Sequence, residues 1–277
     1  MQSLFSPQTE TTALVREPAV AGRFYPAQPS ALEQTVRALL DQAACPPLRR
    51  VCGLIAPHAG YVCSGAVAAR AFCALRQLPD EETIVYLLGP AHWHPVHGVA
   101  LSGASAFATP LGSVPVAHGR LAILASLTEQ CQFDDAAHEP EHALEVELPF
   151  LQMTLDRFRI APMLLGEEVD TRQLADDLGR LLADNPHSLL VVSSDLSHYH
   201  AQAEAETLDR AYLDAVLDGD LYDVLNGEAC GRAAIAVLKQ VADALGWEPQ
   251  LLAYANSGES CGGPERVVGY GAVVYTN

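Results

Sequence analysis

The sequence predicts an α/β fold: a single domain with a central, largely parallel or mixed sheet flanked by helices. Two observations predict it. Apolar, strand-like runs alternate with segments of helical periodicity, which is typical of βαβ units. The 277 residues are 49% hydrophobic and 18% charged, so the chain can bury one large core. Because it has no internal repeat or clean linker, we expect one domain over 16–277 after a loose polar tail at 1–15.

The first half of the chain predicts three strands and two helices. Ser30 and Glu33 resemble a capping box, which places a helix start just before Leu32. The elements that follow are a strand at 51–57, a small-residue helix at 66–72, a strand at 83–89 and a short strand at 99–102. Residues 103–118 are rich in Gly, Pro and Ser, which indicates turns.

The second half continues the alternation. Leu144, Leu148, Leu151 and Leu155 recur at helical spacing, although Pro149 should kink or interrupt that helix. The later elements are a strand at 160–165, a helix at 174–182, a strand at 188–194, helices at 203–217 and from about 230, and closing strands at 251–254 and 267–275.

Three of these strands run directly into reactive side chains. The first ends at His58, the second ends just before His92, and the strand at 188–194 ends at Asp195 with His198 close behind. Sites in open α/β sheets form outside the carboxyl ends of the strands, so one shared site is expected. Imidazole and carboxylate are side chains that hold catalytic metals.

Each candidate also has a simpler interpretation. His58 could be a hydrogen-bonded loop residue, and Asp195 could be the N-cap of the next helix. His94 and His97 are interpreted as residues at the rim of the site. The acidic turn around His142 is typical of a solvated helix start, with His142 in a supporting role beside the carboxylates of Glu141, Glu145 and Glu147.

The seven cysteines are odd in number and contain no C-x-x-C pair, so the sequence predicts neither a disulfide framework nor a zinc ribbon. Cys230 is the most informative of them. It precedes Gly231, Arg232 and a predicted helix, where a thiol has a lowered pKa and can bind metal as thiolate. The alternative is an ordinary buried small side chain.

Charge and composition exclude several classes of function. A net charge of −18 opposes binding to nucleic acid and to anionic membranes. We find no signal-peptide pattern and no apolar run of about 18 residues, so the cytoplasm is the expected location. Nucleotide-binding motifs are also absent from the sequence.

Seven segments, in order along almost the whole chain, together resemble the Memo-like family, the AmmeMemoRadiSam system protein B group. They are Ala21–Ala27, Ala56–Tyr61, Gly89–His92, Glu141–Phe150, Ser193–Tyr199, Cys230–Arg232 and Tyr254–Ser257. The sequence departs from the family pattern at Trp93, at His200 and in the loop Ser260–Gly263.

The resemblance implies a fold like that of class III extradiol dioxygenases, with a mononuclear metal site at the dioxygenase iron position. His58, His92 and Cys230 match the family's metal ligands. Asp195 and His198 match its pocket residues, and His142 belongs to a further motif; these three are the candidate catalytic residues. The resemblance also implies a genomic link to a radical-SAM protein, with no indication of physical contact.

The main hypothesis is a mononuclear metal-binding protein, either a non-haem iron redox enzyme or a metal-handling protein. Two imidazoles and a thiolate suit Fe(II), our first expectation, and also Cu(I) or Zn(II). His198 would shuttle protons and Asp195 would orient a ligand or substrate. If Asp195 replaces Cys230 as third ligand, dioxygenase chemistry is favoured.

Two alternatives stay open. One is a binding module that uses the same pocket for an unidentified small molecule or peptide without catalysis. The other is a zinc-dependent hydrolase with His198 or Glu141 as base. The sequence alone does not decide whether the protein turns over a substrate.

Overall fold

The computed structural model describes residues 14–277. Most of the tail predicted at 1–15 lies outside the described residues, and Val15 at its end already belongs to a strand. The strands are β1 (Val15–Arg16), β2 (Val51–Ala56), β3 (Thr83–Pro90), β4 (Val99–Leu101), β5 (Ala106–Thr109), β6 (Gly112–Pro115), β7 (Cys131–Phe133), β8 (Phe158–Leu165), β9 (Ser188–Ser193), β10 (His198–His200), β11 (Glu248–Asn256) and β12 (Val267–Thr276).

Helices cover the faces of the sheet. They are α1 (Pro29–Gln42), α2 (Tyr61–Phe72), α3 (His118–Leu127), α4 (Asp135–His138), α5 (Leu148–Thr154), α6 (Thr171–Asp184), α7 (Gln202–Leu217), α8 (Leu221–Asn226) and α9 (Arg232–Leu245). Short 3-10 helices at Cys73–Gln77 and Glu145–Glu147 extend α2 and precede α5.

The central sheet is mixed, as the sequence predicted. Its strand order is β10-β12-β2-β9-β3-β8-β4-β7, and β11 also pairs with β12. The inner strands β2, β9, β3 and β8 run parallel, whereas β12 is antiparallel to β2, β10 and β11. Every residue of β2 and β9 is buried, which explains why these strands are continuous apolar runs rather than alternating ones.

Three local expectations are corrected. α1 begins at Pro29, so Ser30 lies inside the first turn and no side chain caps the helix. The predicted turn segment 103–118 contains the hairpin β5–β6, which pairs with β1 in a separate three-stranded sheet. Of the two outcomes expected for Pro149, a kink is not found, because α5 begins at Leu148 and its first turn needs no N–H from proline; the predicted helix is instead interrupted, with the 3-10 helix Glu145–Glu147 before α5.

Two disulfides correct the expectation of unpaired cysteines. Cys45 pairs with Cys73, and Cys63 pairs with Cys261; their Cα atoms are 5.9 and 5.1 Å apart. The partners are 28 and 198 residues apart in the chain, so spacing alone could not reveal them. Across residues 14–277, none of the helices combines the length and apolar character needed to cross a bilayer.

Candidate metal centre

The carboxyl ends of three neighbouring strands deliver residues that the sequence singled out. β9 lies between β2 and β3, and the three strands run parallel. His58 follows β2, His92 follows β3 and Asp195 follows β9. The three strand ends therefore meet at one edge of the sheet, as expected for a site in an open α/β sheet.

Three imidazoles face one another at this edge. One ring nitrogen from each of His58, His92 and His142 lies within 4.8 Å of the other two. The ring centroids are 5.2 Å apart for His58 and His92, and 4.7 Å apart for His92 and His142. His58 is buried, His142 is partly buried and His92 is exposed. The cluster therefore has a buried side at His58 and a solvent-exposed side at His92. A metal site that admits a ligand needs such an open side.

His142 reaches the cluster from a loop rather than from a strand end. It lies between α4 and the 3-10 helix that precedes α5. The sequence suggested a supporting role for His142 and left the third ligand to Cys230 or Asp195, whereas the structure brings the His142 ring itself among the donors. The adjacent Glu141 is the signal that could have found it, because a carboxylate partner commonly orients a ligating imidazole.

The Glu141 carboxylate orients two of the three imidazoles. Its Oε1 lies 2.9 Å from His92 Nδ1 and 3.1 Å from His142 Nδ1, and its Oε2 accepts the His92 backbone N–H at 2.6 Å. Burial alone would raise the pKa of Glu141, but hydrogen bonds from His142 and His92 outweigh burial and hold that pKa well below its usual range. Donation from each Nδ1 leaves Nε2 as the nitrogen available to a metal.

Trp93, one of the departures from the family pattern, competes for the same nitrogen. Its Nε1 lies 3.3 Å from His142 Nδ1, where it could donate only to an unprotonated nitrogen. The ionised Glu141 is the stronger partner because its charge favours a protonated Nδ1. Trp93 is 62% exposed and forms a side of the site open to solvent.

The solvated helix start predicted around His142 is wrong. Glu141, Glu145 and Glu147 are all buried. The Glu145 carboxylate pairs with Arg16 and accepts the backbone N–H of Ala19 at 2.7 Å. These carboxylates could not be recognised as buried from sequence, because their partners come from distant parts of the chain.

His58 is held by a separate set of contacts. Its Nδ1 lies 2.7 Å from Ser193 Oγ, which in turn lies 2.8 Å from Glu147 Oε1. Burial, reinforced by charge on His92 and His142, lowers the pKa of His58 well below its usual range. Burial raises the pKa of Glu147 well above its usual range. The His58 ring is therefore neutral, and its Nε2 lies 3.4 Å from Cys230 Sγ.

Asp195 braces the loop that carries His58. Its Oδ1 accepts the His58 backbone N–H at 2.9 Å, and burial raises the pKa of its carboxyl. The N-cap alternative is wrong, because β10 follows Asp195 and α7 begins only at Gln202. His198, the first residue of β10, is partly buried, and its charge would lower the pKa values of both Asp195 and His58.

Cys230 lies beside the imidazoles but outside the three-histidine cluster. Besides its contact with His58, its Sγ accepts the Asp195 backbone N–H at 3.2 Å. Burial, and then the charge of Asp195, raises the pKa of Cys230 to about 12. The expected lowering of this pKa is therefore wrong, since burial and the charge of Asp195 outweigh the hydrogen bonds to the thiol from Ser194 and from the backbone of Asp195 and Gly231. A metal would have to displace the thiol proton to bind here.

Gly231 lets the start of α9 approach the end of β9. A Cβ at this position would lie 2.7 Å from Ser194 Cβ and 2.8 Å from the Ser193 carbonyl oxygen. Its backbone N–H donates to Ser194 Oγ at 2.9 Å. Only glycine fits this approach, which brings Cys230 against His58.

The N-terminal segment packs against the His142 loop, which sequence reasoning missed. The Arg16 guanidinium donates to the backbone carbonyls of His138 and Glu141 as well as to Glu145. Phe24 packs edge-on against His142, with centroids 4.9 Å apart. The family-like run Ala21–Ala27 therefore supports the site as well as the fold.

A cavity of about 500 Å³ adjoins the cluster. The segments 90–97, 165–167 and 230–233 line it, apart from Gly231. His94 and His97 lie in the first of these segments and make no part of the three-imidazole cluster, which agrees with their interpretation as rim residues.

The donor set fits a single metal ion. Three imidazoles converge, each can present an unprotonated Nε2, and two of them are anchored by an ionised carboxylate. His58, His92 and His142 would hold the ion, with Cys230 as an additional donor beside His58. The cluster does not select among Fe(II), Cu(I) and Zn(II), because imidazole suits all three.

The fold and site define a mixed α/β protein with a histidine-rich, metal-capable centre at the carboxyl ends of its parallel strands. The family model described as Memo-like protein matches residues 16–274. The chain therefore belongs to the Memo-like family, as its motifs indicated.

Related proteins align with this chain over almost their full length. A MEMO1 family protein from Methanosarcina acetivorans is 36% identical over 277 residues, which cover 94% of this chain and 98% of the relative. One from Nitrosopumilus maritimus is 32% identical and is covered completely, and one from Thermotoga neapolitana is 33% identical.

A solved structure supports the fold alone. The crystal structure of JW3007, an uncharacterized protein from Escherichia coli K12, superposes with a TM-score of 0.51 at 15% sequence identity. The match covers 82% of this chain and 100% of that chain.

Proposed function

We propose that the protein binds one redox-active metal ion at His58, His92 and His142, with Fe(II) as the first expectation, and uses it in oxidoreductase chemistry or metal handling. The observation that carries the proposal is the convergence of three imidazole donors within 4.8 Å. When bound, the metal supplies the redox centre that no protein side chain here provides. A mixed site with Cys230 would add a soft thiolate ligand, which suits Cu(I) best and is also compatible with Fe(II) and Zn(II).

The surrounding residues have distinct proposed roles. Glu141 and Ser193 fix the ring orientations, and Asp195 fixes the His58 backbone. His198 is near enough to His58 and Asp195 for its charge to act on both, and its side chain has no hydrogen bond among the described residues, so it is the group proposed to move protons. Glu141 is a poor candidate for the base of a zinc hydrolase, because imidazole and backbone N–H donors occupy both of its oxygens.

Metal content after anaerobic purification tests the proposal. Wild type is compared with His142→Ala, Cys230→Ala and, as a matched control on the rim, His97→Ala. We expect near-stoichiometric iron or copper in wild type and His97→Ala, and loss in His142→Ala. Retention in Cys230→Ala indicates a three-histidine site, whereas loss there makes the thiol an essential ligand.

Two results would redirect the function. Zinc as the bound metal, even when Fe(II) is supplied, would favour hydrolysis over redox chemistry. Absence of metal after anaerobic reconstitution with Fe(II), Cu(I) and Zn(II) would overturn the metal proposal and leave a ligand- or peptide-binding module as the function.

A further inference from the structure

The cavity beside the metal centre has the size of a small-molecule site. Its volume is about 500 Å³, within the range of ligand pockets in proteins. It shares His92 and Cys230 with the centre, so a molecule inside it would reach the metal-facing side chains from one direction. The charge and polarity of the other lining residues therefore determine which class of molecule the cavity binds.

One wall carries an unpaired cation. Arg232 is the single Lys or Arg that lines the cavity, in a chain with 34 acidic and 16 basic residues. Arg232 is exposed, and within residues 14–277 its guanidinium makes no hydrogen bond or ion pair, whereas seven of the fifteen arginines form ion pairs. Arg232 is also the first residue of α9, so the positive end of the helix dipole borders the same space.

The acidic content of the cavity is small. Glu167 is the single carboxylate among the lining residues, and it is exposed. Its backbone N–H donates to the Val96 carbonyl oxygen, so it lies on the same wall as Val96. Arg232 instead lies two residues from Cys230, on the wall next to the metal-facing side chains. Under the proposed function, a divalent ion on neutral imidazoles would add positive charge at the same end. The inner end of the cavity therefore favours an anion.

Part of the remaining lining is apolar. Trp93, Val96, Leu165 and Ala233 form this part, beside the imidazoles of His94 and His97. Such walls suit a hydrocarbon or aromatic body rather than an inorganic ion. Guanidinium recognises carboxylate through paired N–H donors in one plane.

We propose that this cavity binds a small organic carboxylate, with its carboxylate on Arg232 and its apolar body along Trp93 and Val96. The inference rests on the proposed metal function for its role in chemistry, but binding to Arg232 needs no metal. The ligand class is thus an organic acid of one ring or a short chain.

Direct binding of benzoate tests the proposal, with benzamide as the uncharged probe and inorganic phosphate as the anion without an apolar body. Binding is measured by titration calorimetry on metal-loaded and metal-free wild type, Arg232→Gln and the control Arg172→Gln, an exposed arginine on α6. Metal content is determined in each sample. Loss of a charged hydrogen-bonded pair weakens binding about tenfold or more.

The expected result is that benzoate binds wild type and Arg172→Gln, binds Arg232→Gln at least tenfold more weakly, and outcompetes benzamide and phosphate. Equal benzoate binding by Arg232→Gln, equally tight phosphate binding, or no benzoate binding by either wild-type form overturns the proposal. If metal is bound but benzoate is not, this inference fails and the metal function stands. If benzoate binds through Arg232 to protein that takes up no metal, the metal function fails and this inference stands.

Discussion

A single oxygen of Glu141 lies between two imidazoles, 2.9 Å from His92 Nδ1 and 3.1 Å from His142 Nδ1. One buried carboxylate therefore sets the tautomer and the orientation of two candidate ligands at once. This arrangement makes the cluster depend on a residue that would not touch the metal.

The first prediction concerns Glu141. Glu141→Gln removes the charge that favours Nδ1–H on both rings, so metal affinity should fall about 10–100-fold. Competition with a chelator of known affinity measures this change, with Glu139→Gln on the exposed side of the loop as control. An unchanged affinity would show that the carboxylate does not orient the ligands.

The second prediction concerns the support of His58. Ser193→Ala removes the hydroxyl 2.7 Å from His58 Nδ1, and we expect metal affinity to fall about tenfold. Ser188→Ala on the same strand is the matched control, because its buried hydroxyl has no hydrogen-bond partner among residues 14–277. The same chelator assay applies, and equal losses in both variants would refute a specific role for Ser193.

The third prediction concerns the approach of α9 to β9. Gly231→Ala places a Cβ 2.7 Å from Ser194 Cβ and should lower the free energy of unfolding by about 1–3 kcal/mol. Gly179→Ala, inside α6 with no atom within 4 Å of the new Cβ, should raise it by about 0.5–1 kcal/mol. Urea denaturation measures both; a neutral Gly231→Ala would contradict the close approach.

The fourth prediction concerns acid stability. His138 is buried with Nε2 3.0 Å from the Ala100 carbonyl oxygen, and burial lowers its pKa from 6.5 to about 4. Below pH 6.5 His138 binds a proton in the unfolded chain, whereas in the folded protein it stays neutral until the pH falls to about 4. This group therefore stabilises the fold above pH 6.5, and its contribution is lost as pH falls from 6.5 to 4.

The slope of that loss approaches about 1.4 kcal/mol per pH unit for one group. His138→Gln keeps an N–H donor and does not titrate, so its stability should fall less steeply over this interval. Urea midpoints between pH 7 and pH 4 give the comparison. Parallel pH profiles for the two proteins would rule out His138 as a source of the acid sensitivity.

The fifth prediction concerns the cysteines. Cys52, Cys131 and Cys230 are free and the other four are paired, so denatured, unreduced protein should react with three equivalents of a thiol reagent. Reduction should raise the count to seven. A count of seven without reductant would contradict both disulfides. Counting in rapidly quenched cells also tests the expected cytoplasmic location: most thiols stay reduced there, so three free thiols in the cell would contradict that location.

The sequence by itself determined the inner strands β2, β3 and β9 and the reactive residues that follow their ends. The runs that became β2, β3 and β9 are almost entirely apolar because both faces of these strands are buried, and this pattern is local to each segment. Since parallel strands have their carboxyl ends at one edge of the sheet, the sequence alone predicted that His58, His92 and Asp195 lie in one site.

Tertiary structure alone decided the third imidazole and the charge states around it. Glu141 and His92 are 49 residues apart, and Arg16 and Glu145 are 129 residues apart. Local sequence patterns show only which face of an element is apolar and where a helix begins. From them we expected the Glu141 and Glu145 carboxylates to be solvated and the pKa of Cys230 to be lowered. Burial and long-range pairing set the pKa of an ionisable group, and both arise only when distant segments pack together.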